Sequence, residues 1–98
     1  MTENEAGLHA SELAQLRHDI ETIDRRIVEL LAERLELGRK TGGIKREAGR
    51  PILDAAREAE VIRRAVVAAR AKGLPTEAVR QIFWHIVGLS RRVQEETE

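Results

Sequence analysis

The chain contains no cysteine and no tyrosine, and Phe83 and Trp84 are its only aromatic residues. Without thiols, a disulfide scaffold, thiol catalysis and cysteine-bound metals are excluded. A long apolar run that could span a bilayer is also lacking. So is an excess of charge of one sign, because 17 Lys and Arg residues balance 17 Asp and Glu residues. General nucleic-acid and membrane-surface binders depend on a net basic field, so we expect neither nucleic acid nor membrane as a partner.

The length of 98 residues fits one small domain. Residues 1–10 are polar and have neither the basic start nor the apolar stretch of a signal peptide. We therefore expect a disordered N-terminal tail over residues 1–10, a functional domain over residues 11–98, and a cytoplasmic protein.

Apolar spacing and end signals predict an all-α fold with three helices, one long and two shorter. The first begins near Ser11, whose hydroxyl can cap it, and runs to about residue 45. Gly42 and Gly43 each cost roughly 1 kcal/mol of helix propensity against alanine, so the sequence leaves open whether the helix is continuous through them. The second follows Asp54 as N-cap and ends at residues 72–73, and the third opens at Pro75 as its first residue.

The first helix is too long for the rest of one chain to cover. A helix from Ser11 to about Ala48 would be roughly 57 Å long at 1.5 Å per residue, whereas a compact chain of this length has a radius of gyration of about 13 Å. A second copy must therefore pack along its apolar stripe, which predicts an intertwined two-fold homodimer. The pattern leaves open an antiparallel coiled-coil dimer without any site.

A cation interrupts that apolar stripe. Arg34 continues the heptad register of Leu13, Ile20 and Ile27. Burying a guanidinium without a partner costs several kcal/mol, so we expect an anion to meet Arg34. The alternative is that the side chain extends to solvent along its three-carbon stem.

Seven further polar residues fall where a scaffold does not need them: Arg17 and Lys45 on the first helix, Asp54, Arg57 and Glu58 at the start of the second, and Ser90 and Gln94 on the third. Each also has an ordinary explanation as a cap, a dipole partner, a small filler or exposed surface. Together with Arg34 they describe a pocket with four cations, one neutral amide and a pair of carboxylates.

The same residues lie within segments that carry a family resemblance over about residues 11–95: Leu13-Ala14-Gln15-Leu16-Arg17, Ile23-Asp24, Leu30-Leu31-Ala32-Glu33-Arg34, Gly43-Ile44-Lys45, Arg50 through Glu58, and Ile82-Phe83 with Ser90 and Gln94. These segments resemble the all-helical chorismate mutases of the AroQ type. The chain departs from the family at Gly43, where a lysine or another long residue usually follows the family's glycine.

The resemblance implies an enzyme that rearranges chorismate to prephenate in phenylalanine and tyrosine biosynthesis. It implies a homodimer with shared active sites, no cofactor and no metal. The family pattern assigns a role to each site residue: Arg34 and Arg17 to the substrate carboxylates, Lys45 and Gln94 to the ether oxygen, Glu58 with Asp54 to the ring hydroxyl, and Arg57 and Ser90 to the pocket wall. Arg17 would come from the other subunit, and the catalytic residues would be Lys45, Gln94, Arg34 and Glu58.

Other functions remain open at this point. An isochorismate pyruvate-lyase of the same fold acts on a substrate with its hydroxyl at a different ring carbon, and the pair Asp54 and Glu58 favours chorismate over that substrate. A mutase for the amino analogue of chorismate is a lesser alternative. A non-catalytic dimerisation or regulatory module is a third, although such a scaffold has no need of Arg34. The sequence leaves open a complex with a larger shikimate-pathway enzyme.

Overall fold

The computed structural model describes residues 2–96, and within that range the secondary structure is entirely helical. The three helices are α1 (Glu3–Glu47), α2 (Ala55–Ala71) and α3 (Thr76–Gln94). The predicted all-α fold with one long and two shorter helices is therefore confirmed. None of the described helices combines the length and apolarity that crossing a membrane requires. The chain divides into two compact units, Met1–Glu33 and Arg34–Glu98.

Helix α1 begins with a reciprocal pair of capping hydrogen bonds. The Glu5 backbone N–H donates to Thr2 Oγ1 at 3.2 Å, and the Thr2 backbone N–H donates to Glu5 Oε2 at 3.3 Å. This Thr-x-x-Glu pattern is a capping box, and acidic side chains in the first turn favour the positive end of the helix dipole. The predicted start near Ser11 is therefore wrong, and residues 3–10 are helical rather than a disordered tail. That residues 11–98 form the functional domain stays a prediction.

The first unit is the N-terminal part of α1, and its side chains are largely exposed. Its apolar stripe includes the predicted heptad register of Leu13, Ile20 and Ile27, and each member of the stripe is about half exposed, from 47% at Leu13 to 59% at Leu16. The stripe consists of Leu13, Leu16, Ile20, Ile23, Ile27 and Leu30. A continuous exposed apolar surface of this kind is typical of an interaction site.

In the second unit, α1 continues unbroken through Gly42 and Gly43 to Glu47, which answers the question that the sequence left open. Gly42 is buried, and a Cβ atom at this position would lie only 2.7 Å from the carbonyl oxygen of Gln94. One turn earlier, a Cβ atom at Gly38 would lie 3.1 Å from Ser90 Oγ. The absence of side chains at these positions lets α3 pack directly against the α1 backbone, and this packing offsets the low helix propensity of glycine.

Both α1 and α2 end in a Schellman motif with a left-handed glycine. Gly49 has φ 67° and Gly73 has φ 68°. At the end of α1, the Arg50 N–H donates to the Lys45 carbonyl at 2.8 Å, and at the end of α2, the Leu74 N–H donates to the Ala69 carbonyl at 2.9 Å. The first motif reverses the chain and brings residues 50–54 back beside Lys45.

Helices α2 and α3 pack against each other around a small apolar core of Ile62, Val66, Ala69, Val87 and Val93. The predicted N-cap of α2 is confirmed, since Asp54 Oδ1 accepts a hydrogen bond from the Arg57 backbone N–H at 3.0 Å. Helix α3 begins at Thr76, with Pro75 as its N-cap residue. Pro75 was predicted as the first residue of the helix, so the helix begins one residue later than predicted.

The two adjacent glycines of α1 provide a matched test of this packing. We expect Gly43→Ala to raise the free energy of unfolding by roughly 0.5–1 kcal/mol, because alanine favours the helix and a Cβ atom there meets nothing within 4 Å. Gly42→Ala gains the same propensity but collides with Gln94, so we expect a net loss of about 1–3 kcal/mol. Urea unfolding of both variants at equal protein concentration checks this. Equal effects of the two substitutions would contradict the close approach of α3.

Candidate active site

The second unit contains a pocket of about 400 Å³ between the last turns of α1, the segment that follows it, the start of α2 and the end of α3. Its apolar wall consists of Leu37, Gly38, Ile52, Val61 and Val87. Its polar lining consists of Arg34, Thr41, Lys45, Arg50, Asp54, Arg57, Glu58, Ser90 and Gln94.

The pocket brings together every predicted site residue except Arg17. Arg34 and Lys45 come from α1, Asp54 is the N-cap of α2, and the remaining members follow on α2 and α3. Arg17 belongs to the first unit, is exposed, and is not among the residues that line this pocket. The roles predicted for these residues stay predictions.

The Lys45 ammonium connects three segments of the chain. Its Nζ donates to the Ile52 carbonyl and to Gln94 Oε1, each at 2.9 Å, and the side chain is half-buried. Because an ammonium group can only donate, it fixes the orientation of the Gln94 amide with Oε1 towards Lys45. The Gln94 Nε2 group is thereby left to donate to another acceptor. The arrangement presents two N–H donors, one charged and one neutral, side by side.

Two arginines of α1 hold the end of α3 in place beside Lys45. Arg46 Nη1 donates to the Gln94 carbonyl at 2.6 Å, and Arg39 Nε donates to Glu96 Oε2 at 2.9 Å. The hydrogen bond from Arg39 to Glu96, with the attraction of the two charges, raises the pKa of the Arg39 guanidinium. Gln94, the last residue of α3, is therefore fixed through its backbone as well as its side chain.

The two carboxylates of the pocket have different partners. Asp54 uses Oδ1 to cap α2, whereas both oxygens of Glu58 accept hydrogen bonds from Arg91 on α3, at 2.9 Å from Nε and 2.5 Å from Nη2. Hydrogen bonding to Glu58, followed by charge attraction, raises the pKa of Arg91. Glu58 is therefore a carboxylate in a defined position with a bound counter-charge.

The side chains lining the pocket carry more positive than negative charge. Arg34, Lys45, Arg50 and Arg57 are cationic, while Asp54 and Glu58 are the anionic members. Arg57 Nη1 also lies 3.6 Å from Glu60 Oε2 on the same helix, an exposed pair that contributes little. The remaining excess of positive charge favours a ligand with two negative charges.

Sequence analysis missed three contributors to this site. Arg50 received no role in the site, yet the Schellman motif at the end of α1 directs it back to the pocket. No sequence pattern predicts that the backbone carbonyl of Ile52 accepts a hydrogen bond from Lys45. Arg91 belongs to the pair Arg91-Arg92, which is typical of a solvated helix face, and its partner Glu58 is 33 residues away.

Fold and site together define a small helical protein with a pocket whose lining carries more positive than negative charge. Among the described residues, the pocket lining combines hydrogen-bond donors and charged groups on three helices and the segment after α1. The chain belongs to the chorismate mutase type II family, whose model matches residues 16–95. The family resemblance read from the sequence is thereby confirmed.

Similar proteins include longer ones. The chain is 33% identical over 77 residues to a T-protein of Enterobacter agglomerans and 32% identical over 75 residues to a bifunctional chorismate mutase/prephenate dehydratase of Escherichia coli. It is 45% identical over 82 residues to a 3-dehydroquinate dehydratase of Pyrobaculum aerophilum. These matches cover 79%, 76% and 84% of the chain but only 21%, 19% and 24% of the relatives.

A solved structure is also similar. A conserved hypothetical protein from Pyrococcus furiosus superposes with a TM-score of 0.70 at 39% sequence identity. The match covers 86% of this chain and 96% of that one. The three-helix fold is therefore also that of a protein of similar extent.

Proposed function

We propose that this protein is a chorismate mutase that converts chorismate to prephenate in aromatic amino-acid biosynthesis. The observation that carries the proposal is the pairing of Lys45 Nζ with Gln94 Oε1 at 2.9 Å inside a pocket with excess positive charge, in a chain of this family. The name of the similar bifunctional chorismate mutase/prephenate dehydratase supports the same activity.

Chorismate is a dianion, and its rearrangement breaks an ether bond while a carbon–carbon bond forms in the same concerted step. The reaction needs no nucleophile and no obligatory proton transfer. An enzyme can accelerate it by holding the compact reactive conformer and by directing donors at the negative charge that develops on the ether oxygen. A pocket of fixed cations and neutral donors is suited to both tasks.

In the proposed complex the ether oxygen lies between Lys45 Nζ and Gln94 Nε2. Arg34 binds a substrate carboxylate, and Arg57 and Ser90 complete the wall. Glu58 accepts a hydrogen bond from the ring hydroxyl, and Asp54, which caps α2 through Oδ1 alone, offers Oδ2 as a second acceptor. Fixed donors of this kind stabilise developing charge without reorganisation during the reaction.

The proposed assembly is a homodimer in which a second copy covers the exposed apolar stripe of α1. The stripe is exposed along its whole length, which a stable monomer does not tolerate well. In an isologous dimer each subunit offers the same residues to the other, so Arg17 of one subunit would complete the pocket of its partner. This explains why a predicted site residue lies outside the pocket of its own chain.

Two related proposals follow from the similar proteins and from the carboxylates of the site. The chain matches about a fifth of the chorismate mutase/prephenate dehydratase, so we propose that it acts together with a larger enzyme of the same pathway. The alternative activity, an isochorismate pyruvate-lyase, is disfavoured by Glu58, which is placed to accept a hydrogen bond in the pocket.

Incubation of the purified protein with chorismate tests the function. We expect the parent protein to form prephenate and no pyruvate. Lys45→Met removes the charged donor, so we expect its kcat to be on the order of 10²–10³-fold lower than that of the parent. Pyruvate formation from isochorismate would support the lyase. The absence of turnover of either substrate would contradict an enzyme and support a non-catalytic module.

A substitution at residue 94 tests whether this side chain faces the breaking bond. A glutamate can donate to the ether oxygen only when protonated, and a free carboxyl titrates at about 4.3. Lys45 beside it stabilises the carboxylate and lowers that pKa further. We therefore expect Gln94→Glu to be nearly inactive at neutral pH and to gain activity as the pH falls through the pKa of the introduced carboxyl, while the parent shows no such rise.

Gln81→Glu is the matched control, because it adds the same charge to an exposed position on α3. Its kcat/KM profile between about pH 3 and 8, a range that extends below the ordinary carboxyl pKa of about 4.3, should follow that of the parent. A Gln94→Glu profile that also follows the parent would show that residue 94 does not donate to the ether oxygen.

Mixed dimers test the shared site. Arg17→Ala and Arg34→Ala homodimers should both be inactive, because every site lacks one arginine. After the two variants are unfolded and refolded together, about half the dimers are mixed and each mixed dimer has one intact site, so roughly a quarter of wild-type activity should return.

The control mixes Arg34→Ala with Lys45→Met. Both residues line the pocket of one chain, so no mixed dimer contains an intact site and activity should not return. If the first mixture also fails to recover while mass spectrometry detects mixed dimers, Arg17 does not complete the partner's pocket.

A further inference from the structure

Arg91 binds a carboxylate of the pocket without lining the pocket itself. It follows Ser90 on α3, and its guanidinium reaches Glu58 near the start of α2. Nε donates to Oε2 at 2.9 Å and Nη2 donates to Oε1 at 2.5 Å. Two parallel N–H···O bonds fix both the position and the rotation of a carboxylate, which a single bond does not.

This pair differs from the other arginine–glutamate pairs of α2 and α3. Arg80 with Glu77, Arg57 with Glu60 and Arg64 with Glu60 each join residues three or four positions apart on one helix, and they are more exposed. The side chain of Glu58 is 21% exposed and that of Arg91 36%. The pair joins α2 to α3 and therefore fixes Glu58 relative to the helix that carries Ser90 and Gln94.

The charge of Glu58 is a difficulty for a dianionic ligand, because an uncompensated carboxylate repels it. Arg91 offsets that charge from outside the pocket. Each carboxylate oxygen has two lone-pair positions, and each Glu58 oxygen uses one of them for Arg91. Both oxygens can therefore still accept a hydrogen bond from a hydroxyl group. With Arg91 bound, Glu58 remains an acceptor while its repulsion of the ligand is reduced.

We propose that Arg91 is a positioning residue, which orients the Glu58 carboxylate towards the ring hydroxyl of the substrate and offsets its charge so that the dianion can bind. The inference rests on the proposed function. The ring hydroxyl takes no part in the bonds that form and break. Its hydrogen bond to Glu58 therefore stabilises the bound substrate and the transition state by similar amounts. Loss of Arg91 should therefore appear mainly in KM.

A double-mutant cycle of Arg91→Met and Glu58→Gln separates this role from a merely structural one. We expect Arg91→Met to raise KM on the order of tenfold and to change kcat by less than about threefold. In the Glu58→Gln background there is no charge to offset, so Arg91→Met should change kcat/KM by less than about twofold. Urea unfolding confirms that each variant is folded.

Arg80→Met is the matched control, because it removes an arginine of α3 that donates to Glu77 at 3.2 Å outside the pocket. Its kcat and KM should stay within about twofold of the parent values, as is usual for an exposed pair. If Arg91→Met does not fold, Arg91→Lys takes its place in the cycle. Lysine keeps the charge but lacks the paired donors, so the expected rise in KM is about threefold.

The outcomes distinguish this inference from the proposed function. An active parent whose Arg91 variant loses equal activity in both backgrounds, or loses kcat with KM unchanged, would overturn the positioning role alone. A parent that forms no prephenate overturns the proposed function, and the positioning role with it.

Discussion

The half-buried ammonium of Lys45 is the interaction on which the site depends. Its two hydrogen bonds, to the Ile52 carbonyl and to Gln94 Oε1, join the end of α1, the segment that follows it and the end of α3. One cation thus positions the backbone that leads to α2, fixes the orientation of a neutral amide and keeps its own charge at the pocket. In a chain with so small an apolar core, polar contacts of this kind determine where the ends of the helices lie.

Close backbone packing makes this contact available. Glycine at positions 38 and 42 lets α3 approach α1 until Gln94 is beside Lys45, and Arg46 then binds the Gln94 carbonyl. A residue that disfavours a helix locally is therefore retained because tertiary packing requires it. The same reasoning applies to Glu58, whose position between α2 and α3 is maintained by Arg91.

Sequence reasoning predicted those features that periodicity and local signals determine. The three helices, the Asp54 cap and the glycine at the end of α2 follow from spacing and capping chemistry. Contacts between residues distant in sequence could not be predicted, because no local pattern encodes them. Examples are the close packing of Gln94 against Gly42 and the hydrogen bonds from Arg91 to Glu58. The early start of α1 was missed although its signal, the Thr-x-x-Glu capping box, is present in the sequence.

In the proposed function, the donors at Lys45 and Gln94 are complementary to the compact transition state in which the ether bond breaks. Titration calorimetry with a stable bicyclic ether dicarboxylate that has this shape tests it most directly, with prephenate as the reference ligand. The account predicts that the parent and Lys40→Met, an exposed control on α1, bind the bicyclic compound at least about 100-fold more tightly than prephenate. Lys45→Met should lose most of that preference. Equal affinity of the parent for both ligands, or an unchanged preference in Lys45→Met, would contradict the account.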